Sequence, residues 1–404
     1  MTATRTRMGA VLVVREFRPL WIAEAVSIAG DQLAKVALAL VVYDRTGSPL
    51  WSAIVYALSF LPALAGGLGL SQLADRYPRR TLMVVCAATQ ALLVALMAIP
   101  GMPLAAMCAL LVGVGIAQAP ALAAQNALTR EVFDADELYY RSQDLRGMTT
   151  NTVMLLGLAG AGLLVAAVGS SAALLIDAVT FALAALLVRL QVRARPGAST
   201  QRTHWAAGIH FVWSRPQLRV LLGLSWLVGL AVVPEGLAAP LAAELHAPAG
   251  AVGWLLAADP FGYVLGAFLL SHFVPVAARQ RLLGVLATGS VAVLVLFALH
   301  PSLSAALALL AVAGAAGAYQ ITVGATFTSW VPNEVRGGAL GVARTGLRVA
   351  QGVGVAAGGV VATLIGSANS AIVAAGVVGV LLAVPTALAW HRQYRGVGAT
   401  AQNA

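Results

Sequence analysis

Residues 71–80 read SQLADRYPRR, a charged break between two long apolar runs, and its interpretation decides the fold. Asp75, Arg76, Arg79 and Arg80 cannot sit in hydrocarbon. Residues 51–70 before them and 81–100 after them carry no charge, and each run matches the ~20 residues a bilayer-spanning helix requires. The break is therefore expected to be a tight loop joining two membrane helices.

Composition extends that expectation to the whole chain. Of 404 residues, 60% are apolar and only 10% charged, where a soluble domain carries roughly 25% charged residues. With a mean hydropathy of +0.87, this implies a polytopic membrane protein. The formal charge of +10 does not point to nucleic acid, because the basic residues fall in the short breaks between apolar runs instead of pooling on one face. Lys35 is the single lysine and lies inside the first run, so a phosphate loop ending in Gly-Lys-Ser/Thr is absent, and transport driven by nucleotide bound to this chain is excluded. Cys86 and Cys108 fall inside apolar runs and read as core residues; no metal cluster, disulfide framework or cofactor is indicated. The basic start leads into a run too long for a cleavable signal, so helix 1 is expected to act as its own targeting signal.

Twelve apolar runs of spanning length can be counted, at about 18–43, 51–70, 81–100, 103–126, 145–168, 171–190, 218–242, 251–271, 282–299, 302–328, 338–366 and 369–390. They are numbered here as predicted helices 1 to 12. Alternate breaks and both tails collect most of the 25 basic residues, while the opposite breaks hold only Arg45, which puts both termini in the cytoplasm. The expected organisation is an N-terminal six-helix half over 1–190, a cytoplasmic linker over 191–217 and a C-terminal half over 218–404. A weak repeat at an offset near 200 maps Ser71 onto Ser271 and Arg79 onto Arg279, but Asp75 onto Pro275, so only the first charged loop keeps its acid.

The order in 71–80, a small residue, three spacers, Asp-Arg, two spacers, Arg-Arg, resembles the loop between helices 2 and 3 of the major facilitator superfamily, with Ser71 and Pro78 at positions where that loop often has glycine. Further stretches resemble the macrolide and multidrug efflux branch: Phe17-Arg-Pro-Leu-Trp21 and Gly30-Asp31 in helix 1, Ala119-Pro120 in helix 4, residues 175–181 (LIDAVTF) in helix 6, residues 208–213 (GIHFVW) before helix 7 and residues 331–337 (VPNEVRG) before helix 11. The resemblance implies an all-α membrane fold of twelve helices in two pseudo-symmetric halves, working as a drug/proton antiporter. Two departures matter. Helix 4 has no arginine from Pro103 to Asn126, and helix 5 has Ala161 where some relatives carry proline, so the proton-transfer residues of those relatives do not carry over.

Ionisable groups inside membrane helices cost ~2.5–3.5 kcal/mol each, which makes each a functional candidate. Those well inside the runs are Glu24, Asp31, Lys35, Asp177, Glu235, Asp259, Arg344 and Arg348. Spacings of seven and four put Glu24, Asp31 and Lys35 on one stripe of helix 1. Asp31 is the candidate for taking up a proton or a cationic substrate group, unless it forms a permanent pair with Lys35; Glu24 would be a second protonatable group. Glu235 is 200 positions after Lys35, and the expectation is that the two form an outer gate. Asp75, Arg76, Arg79 and Arg344 are candidates for a cytoplasmic latch at the positive N-terminal end of helix 11. Arg348 would partner Asp31 or seat an anionic substrate group. Asp177 is read as a structural hydrogen-bonding group, Asp259 as a cavity residue or a cap for the Pro260 break. Trp226, Trp254, Phe261, Tyr319 and Gln320 could wall a cavity or simply pack.

The function expected from the resemblance is export of an amphipathic small molecule, a drug or natural product, in exchange for protons, by a monomer in a bacterial inner membrane. The alternatives are a lysophospholipid flippase or siderophore exporter and, in another class, a non-transporting sensor or scaffold. No nucleophile–base pair marks an enzyme.

Overall fold

The computed structural model describes residues 8–60, 73–133, 136–195, 205–248 and 250–401, and among them every regular element is helical. In chain order these are α1 (Phe17–Thr46), α2 (Pro49–Leu58), a single helical turn Leu73–Arg76 within the stretch expected to be a loop, α3 (Arg79–Met97), α4 (Leu104–Val132), α5 (Asp136–Val168) and α6 (Ser170–Gln191). After a short linker helix, Trp205–Trp213, comes α7, built from four pieces, Pro216–Trp226, Val228–Ala231, Val233–Gly236 and Ala238–Glu244. Then follow α8 (Ala251–Phe273), α9 (Val276–Ala292, continued as a 3₁₀ turn Val293–Leu299), α10 (Leu303–Gly317 and Tyr319–Trp330), α11 (Asn333–Ile365) and α12 (Ala368–Ala401). Eleven of these are long and apolar enough to cross a membrane, and α2 is a shorter apolar helix. The rest of the second predicted span, with Ser71 of the charged loop, lies outside the described residues.

The helices begin and end away from the hydrocarbon edges that hydropathy marks. The break expected over 127–144 is nearly all helix, because α4 runs on to Val132 and α5 already starts at Asp136. Likewise α11 starts at Asn333 and α12 reaches Ala401. Charged turns leave the apolar count without leaving the helix, since water tolerates a helical backbone as readily as a loop. Several turns between helices depend on glycine, two of them long-helix junctions. Gly169 (φ 82°) separates α5 from α6, and Gly366 (φ 76°) separates α11 from α12, a left-handed conformation that a side chain would oppose.

Two helices expected to be continuous are broken. Pro234 withholds a backbone N–H within α7, which is interrupted at Leu227, Val232 and Leu237, and α10 is interrupted at Ala318. The carbonyls in the last turn of Pro216–Trp226 do not go unpaired. Tyr319 Oη donates to the Leu224 carbonyl (2.7 Å), Gln320 Nε2 donates to the Ser225 carbonyl (2.9 Å), and Ser225 Oγ donates to Gln320 Oε1 (3.0 Å). One helix break thus supplies the donors that make the other tolerable in a membrane.

The chain forms two compact units, one comprising Met1–Leu38 and Leu61–Gln201, the other Ala39–Phe60 and Arg202–Ala404. The end of α1 and all of α2 therefore group with the later helices. In the first unit, α3 packs on α4 and α6, and Leu20, Met83, Ala124, Leu128 and Val188 form a shared core. Val11 and Phe17 bury against Phe133, which fixes the N-terminal 3₁₀ turn Met8–Val13 to the ends of α4 and α5. The second unit is closed by glycine seams: a Cβ on Gly262 would stand 1.8 Å from the Ala311 carbonyl oxygen, and one on Gly359 would stand 2.4 Å from Ala53 Cβ. Such small residues let α8 meet α10, and α2 meet α11, at backbone distance. Glu244, at the end of α7, accepts from Ser367 Oγ (3.2 Å) and from the backbone N–H groups of Ala368 and Asn369, so it caps the start of α12.

Candidate functional site

In the first unit, three helices converge on Glu24. Arg146 of α5 grips its carboxylate with two parallel bonds, Nε to Oε2 at 2.6 Å and Nη2 to Oε1 at 2.8 Å. Nη1 of Arg146 donates to Asn126 Oδ1 (3.1 Å) of α4 and to Gln143 Oε1 (3.0 Å). Arg146 is buried, so this is a desolvated, bidentate pair whose hydrogen bonds are filled from two further side chains. One turn earlier on α1, Trp21 Nε1 donates to Thr149 Oγ1 (2.9 Å), a second stitch between α1 and α5.

Further along α1, Gly30 meets α6. A Cβ there would stand 2.1 Å from Thr180 Oγ1 and 2.2 Å from Asp177 Oδ1, so only glycine lets the two helices touch at this level. Asp177 is 1% exposed, and its carboxylate accepts from Thr180 Oγ1 at 3.1 Å. Asp31 is half-buried and interacts electrostatically with both Asp177 and Lys35. Lys35 Nζ donates to Gln32 Oε1 (3.2 Å), and Gln32 packs on Gly157 of α5. Gly157 thus lets α5 approach α1 closely at this level.

In the second unit the ionisable groups gather around the broken part of α7. Tyr56 Oη of α2 donates to Glu235 Oε2. Asp259 of α8 interacts electrostatically with Glu235, and so does Arg348 of α11. Arg348 is exposed; its Nη1 donates to Gln351 Oε1 (3.1 Å) and its guanidinium stands 5.8 Å from the centre of the Phe60 ring. Phe60 in turn meets the Tyr56 ring edge-on, with centroids 5.7 Å apart.

The other expected site residues are more dispersed. Tyr319 is fully buried and, with Gln320, braces the break in α7, which makes the pair structural supports. Trp226 lies on Gly346 of α11, whose Cβ would stand 2.3 Å from its ring, while Trp254 and Phe261 are exposed. In the charged loop, Arg76 is exposed and Arg79 is buried in an ion pair with Glu131 of α4; the Asp75 side chain is outside the described set. Arg344 is exposed. Lys35 stands in the first unit and Glu235 in the second, each with a partner of its own.

Sequence reasoning missed Arg146, Asn126, Gln143 and Tyr56. Arg146 is the second residue of predicted helix 5 (145–168) and was passed over as an edge position, although Gln143, in the break before it, and Arg146 have the three-residue spacing of one helical face.

The sequence matches the model of the Major Facilitator Superfamily over residues 20–234 and 235–402. The chain belongs to the major facilitator superfamily. It is a multi-pass membrane transporter and not an enzyme. No curated protein sequence matches it. Among solved structures of this superfamily fold, a bacterial homologue of the human lysosomal transporter Spinster, inward-facing and occupied, is 16% identical with a TM-score of 0.73, covering 96% of this chain and 98% of that one. The nucleoside transporter NupG is 16% identical with a TM-score of 0.70, covering 93% and 98%. A bacterial homologue of the iron transporter ferroportin, inward-facing, is 15% identical with a TM-score of 0.71, covering 94% and 99%. At these identities the likeness concerns the fold.

Proposed function

We propose that this transporter exports an amphipathic small molecule, a drug or natural product, across a bacterial inner membrane in exchange for protons, working as a monomer with both termini in the cytoplasm. The observation that carries the proposal is the cluster in the second unit. Glu235 sits on a broken helix, shares a hydrogen bond with a neutral phenol and faces both a second acid, Asp259, and an exposed cation, Arg348. An acid so placed can change protonation state with a partner on either side, and broken helices recur where transporters hold substrate and coupling ion. Asp31, with Asp177 and Lys35 nearby, is the corresponding candidate in the first unit. Glu24 is less suited to exchange protons, because Arg146 holds it in two bonds.

A second reading is supported by Arg348. An exposed guanidinium steadied by Gln351 and the Phe60 ring is a seat for a phosphate or carboxylate, as a lysophospholipid flippase would require. Inverted vesicles containing the protein decide between these readings. Export requires that an imposed pH gradient drive accumulation of lipophilic cations or neutral amphiphiles, and that Asp31→Asn or Glu235→Gln abolish it in a folded protein. Preference for anionic lysolipids, lost in Arg348→Gln, supports the flippase. No movement of either solute class under any gradient overturns both readings.

A further inference from the structure

We infer that the linker helix Trp205–Trp213 is a membrane-surface anchor that recognises anionic phospholipid headgroups through Arg215 and Arg219, and that it ties the start of α11 to the lipid surface.

Two anchors set the helix at the membrane boundary. Its last residue, Trp213, is separated by only Ser214 and Arg215 from Pro216, where the membrane-spanning stretch of α7 begins. At ~3.5 Å per residue this leaves about 10 Å of reach. On the other side, Gly208 meets the first turns of α11 so closely that a Cβ would stand 2.4 Å from the Gly338 carbonyl carbon and 2.5 Å from the Ala339 nitrogen. The linker helix is therefore fixed at the level where two membrane spans begin.

Its two faces differ. Val212 is fully buried in the core of the second unit, whereas Ile209 and Trp213, four residues apart on one stripe, are 46% and 51% exposed. A tryptophan beside an aliphatic side chain, exposed at the end of a membrane span, suits the headgroup region, where the ring stays apolar and its N–H stays hydrated. Charge completes the match. Arg215 and Arg219, one turn apart, are exposed, and the Arg215 guanidinium is steadied 4.4 Å over the Phe211 ring. They are the complement of an anionic leaflet, which attracts such residues by ~1 kcal/mol each, or about fivefold in occupancy. This arrangement brings the stretches 208–213 and 331–337 together in function: the first rests on lipid, the second begins the helix that carries Arg348, and Gly208 touches that helix immediately after it, at Gly338 and Ala339.

The test is fluorescence of the full-length protein in nanodiscs of phosphatidylcholine doped with lipid brominated near the headgroup, with Trp213→Phe used to isolate the Trp213 component. Brominated phosphatidylglycerol should quench that component at lower mole fraction than brominated phosphatidylcholine. Each of Arg215→Gln and Arg219→Gln should raise the half-quenching fraction of the anionic lipid about fivefold without altering the response to the neutral one. Both arginines are exposed, so unchanged thermal unfolding is expected and serves as the control. A Trp213 component that no brominated lipid quenches, as when the helix faces water or a protein partner, overturns the inference. Equal quenching by both lipids in wild type also overturns it.

Discussion

The two units hold their buried charges in opposite ways. In the first, Glu24 and Arg146 bind each other bidentately on continuous helices, with Asn126 and Gln143 both accepting from Arg146 Nη1. In the second, Glu235 has a phenol for a hydrogen-bond partner, sits on a helix broken at three points, and looks toward an arginine that is exposed. A closed pair on an unbroken helix resists change, because neither member can leave without stranding the other. An acid shared between a neutral donor, another acid and an exposed cation with neutral partners of its own can exchange partners at small cost. The difference separates a clasp from a candidate working site within one membrane protein.

The largest effect expected from this contrast belongs to the clasp. Arg146→Ala should destabilise the protein by about 3–5 kcal/mol, because it leaves the Glu24 carboxylate in a buried setting without its cation. Thermal unfolding in detergent measures this. Replacing both members with leucine should recover most of the loss, since a well-packed apolar pair substitutes for a buried ion pair. If the double replacement is no better than the single one, the pair is not a self-contained clasp.

The second unit should behave differently. Tyr56→Phe removes a hydrogen bond to a carboxylate, worth ~1.5–3 kcal/mol, and Glu235→Gln keeps an acceptor for the same phenol. The expected outcome is that Glu235→Gln costs less stability than Tyr56→Phe yet abolishes gradient-driven transport. Transport by the glutamine variant at wild-type rate would remove Glu235 from the working site. Next in size is the contact that brings Asp31 to α6. Gly30→Ala would force a Cβ to within 2.2 Å of the buried Asp177 carboxylate, so a loss of about 1–3 kcal/mol is expected in the same unfolding assay.

Much of this fold is legible in sequence because hydrocarbon rejects charge. The loop Asp75–Arg80 and the clustering of arginine in alternate breaks mark where spans end, whatever the packing. The same criterion hides what happens beyond the hydrocarbon edge. Residues 136–144, counted as a break, are helical although charged, and Arg146, the second residue of the predicted run 145–168, lay too near that edge to join the candidate set. Tyr56 went unnoticed because a tyrosine in a membrane helix commonly marks an interface, and only the proximity of Glu235, 179 positions away, gives it a different role. Tyr319 and Gln320 were legible as polar residues in an apolar helix, but their direction was not. Whether such side chains face a pathway or pair with freed carbonyls depends on where α7 breaks, and of its three interruptions only the one next to Pro234 has a signal in the residues.

The smallest expected effect tests whether exchangeability is local to Glu235 or common to the acids of α7. Glu244, at the far end of the same helix, accepts from Ser367 Oγ and two backbone N–H groups at the start of α12, where the helix dipole also favours an anion. Those backbone donors belong to a helix end and need a partner in every state, so Glu244 is an anchor by the same logic that makes Arg146 a clasp. Glu244→Ala should cost about 0.5–2 kcal/mol, the range for losing a helix cap, and Glu244→Gln less, because the amide oxygen still accepts. Transport by the glutamine variant should stay near wild type, in contrast to Glu235→Gln. If both glutamine variants stop transport while both remain folded, protonation of α7 is not confined to its broken centre, and the boundary between fixed and exchangeable contacts has to be redrawn along that helix.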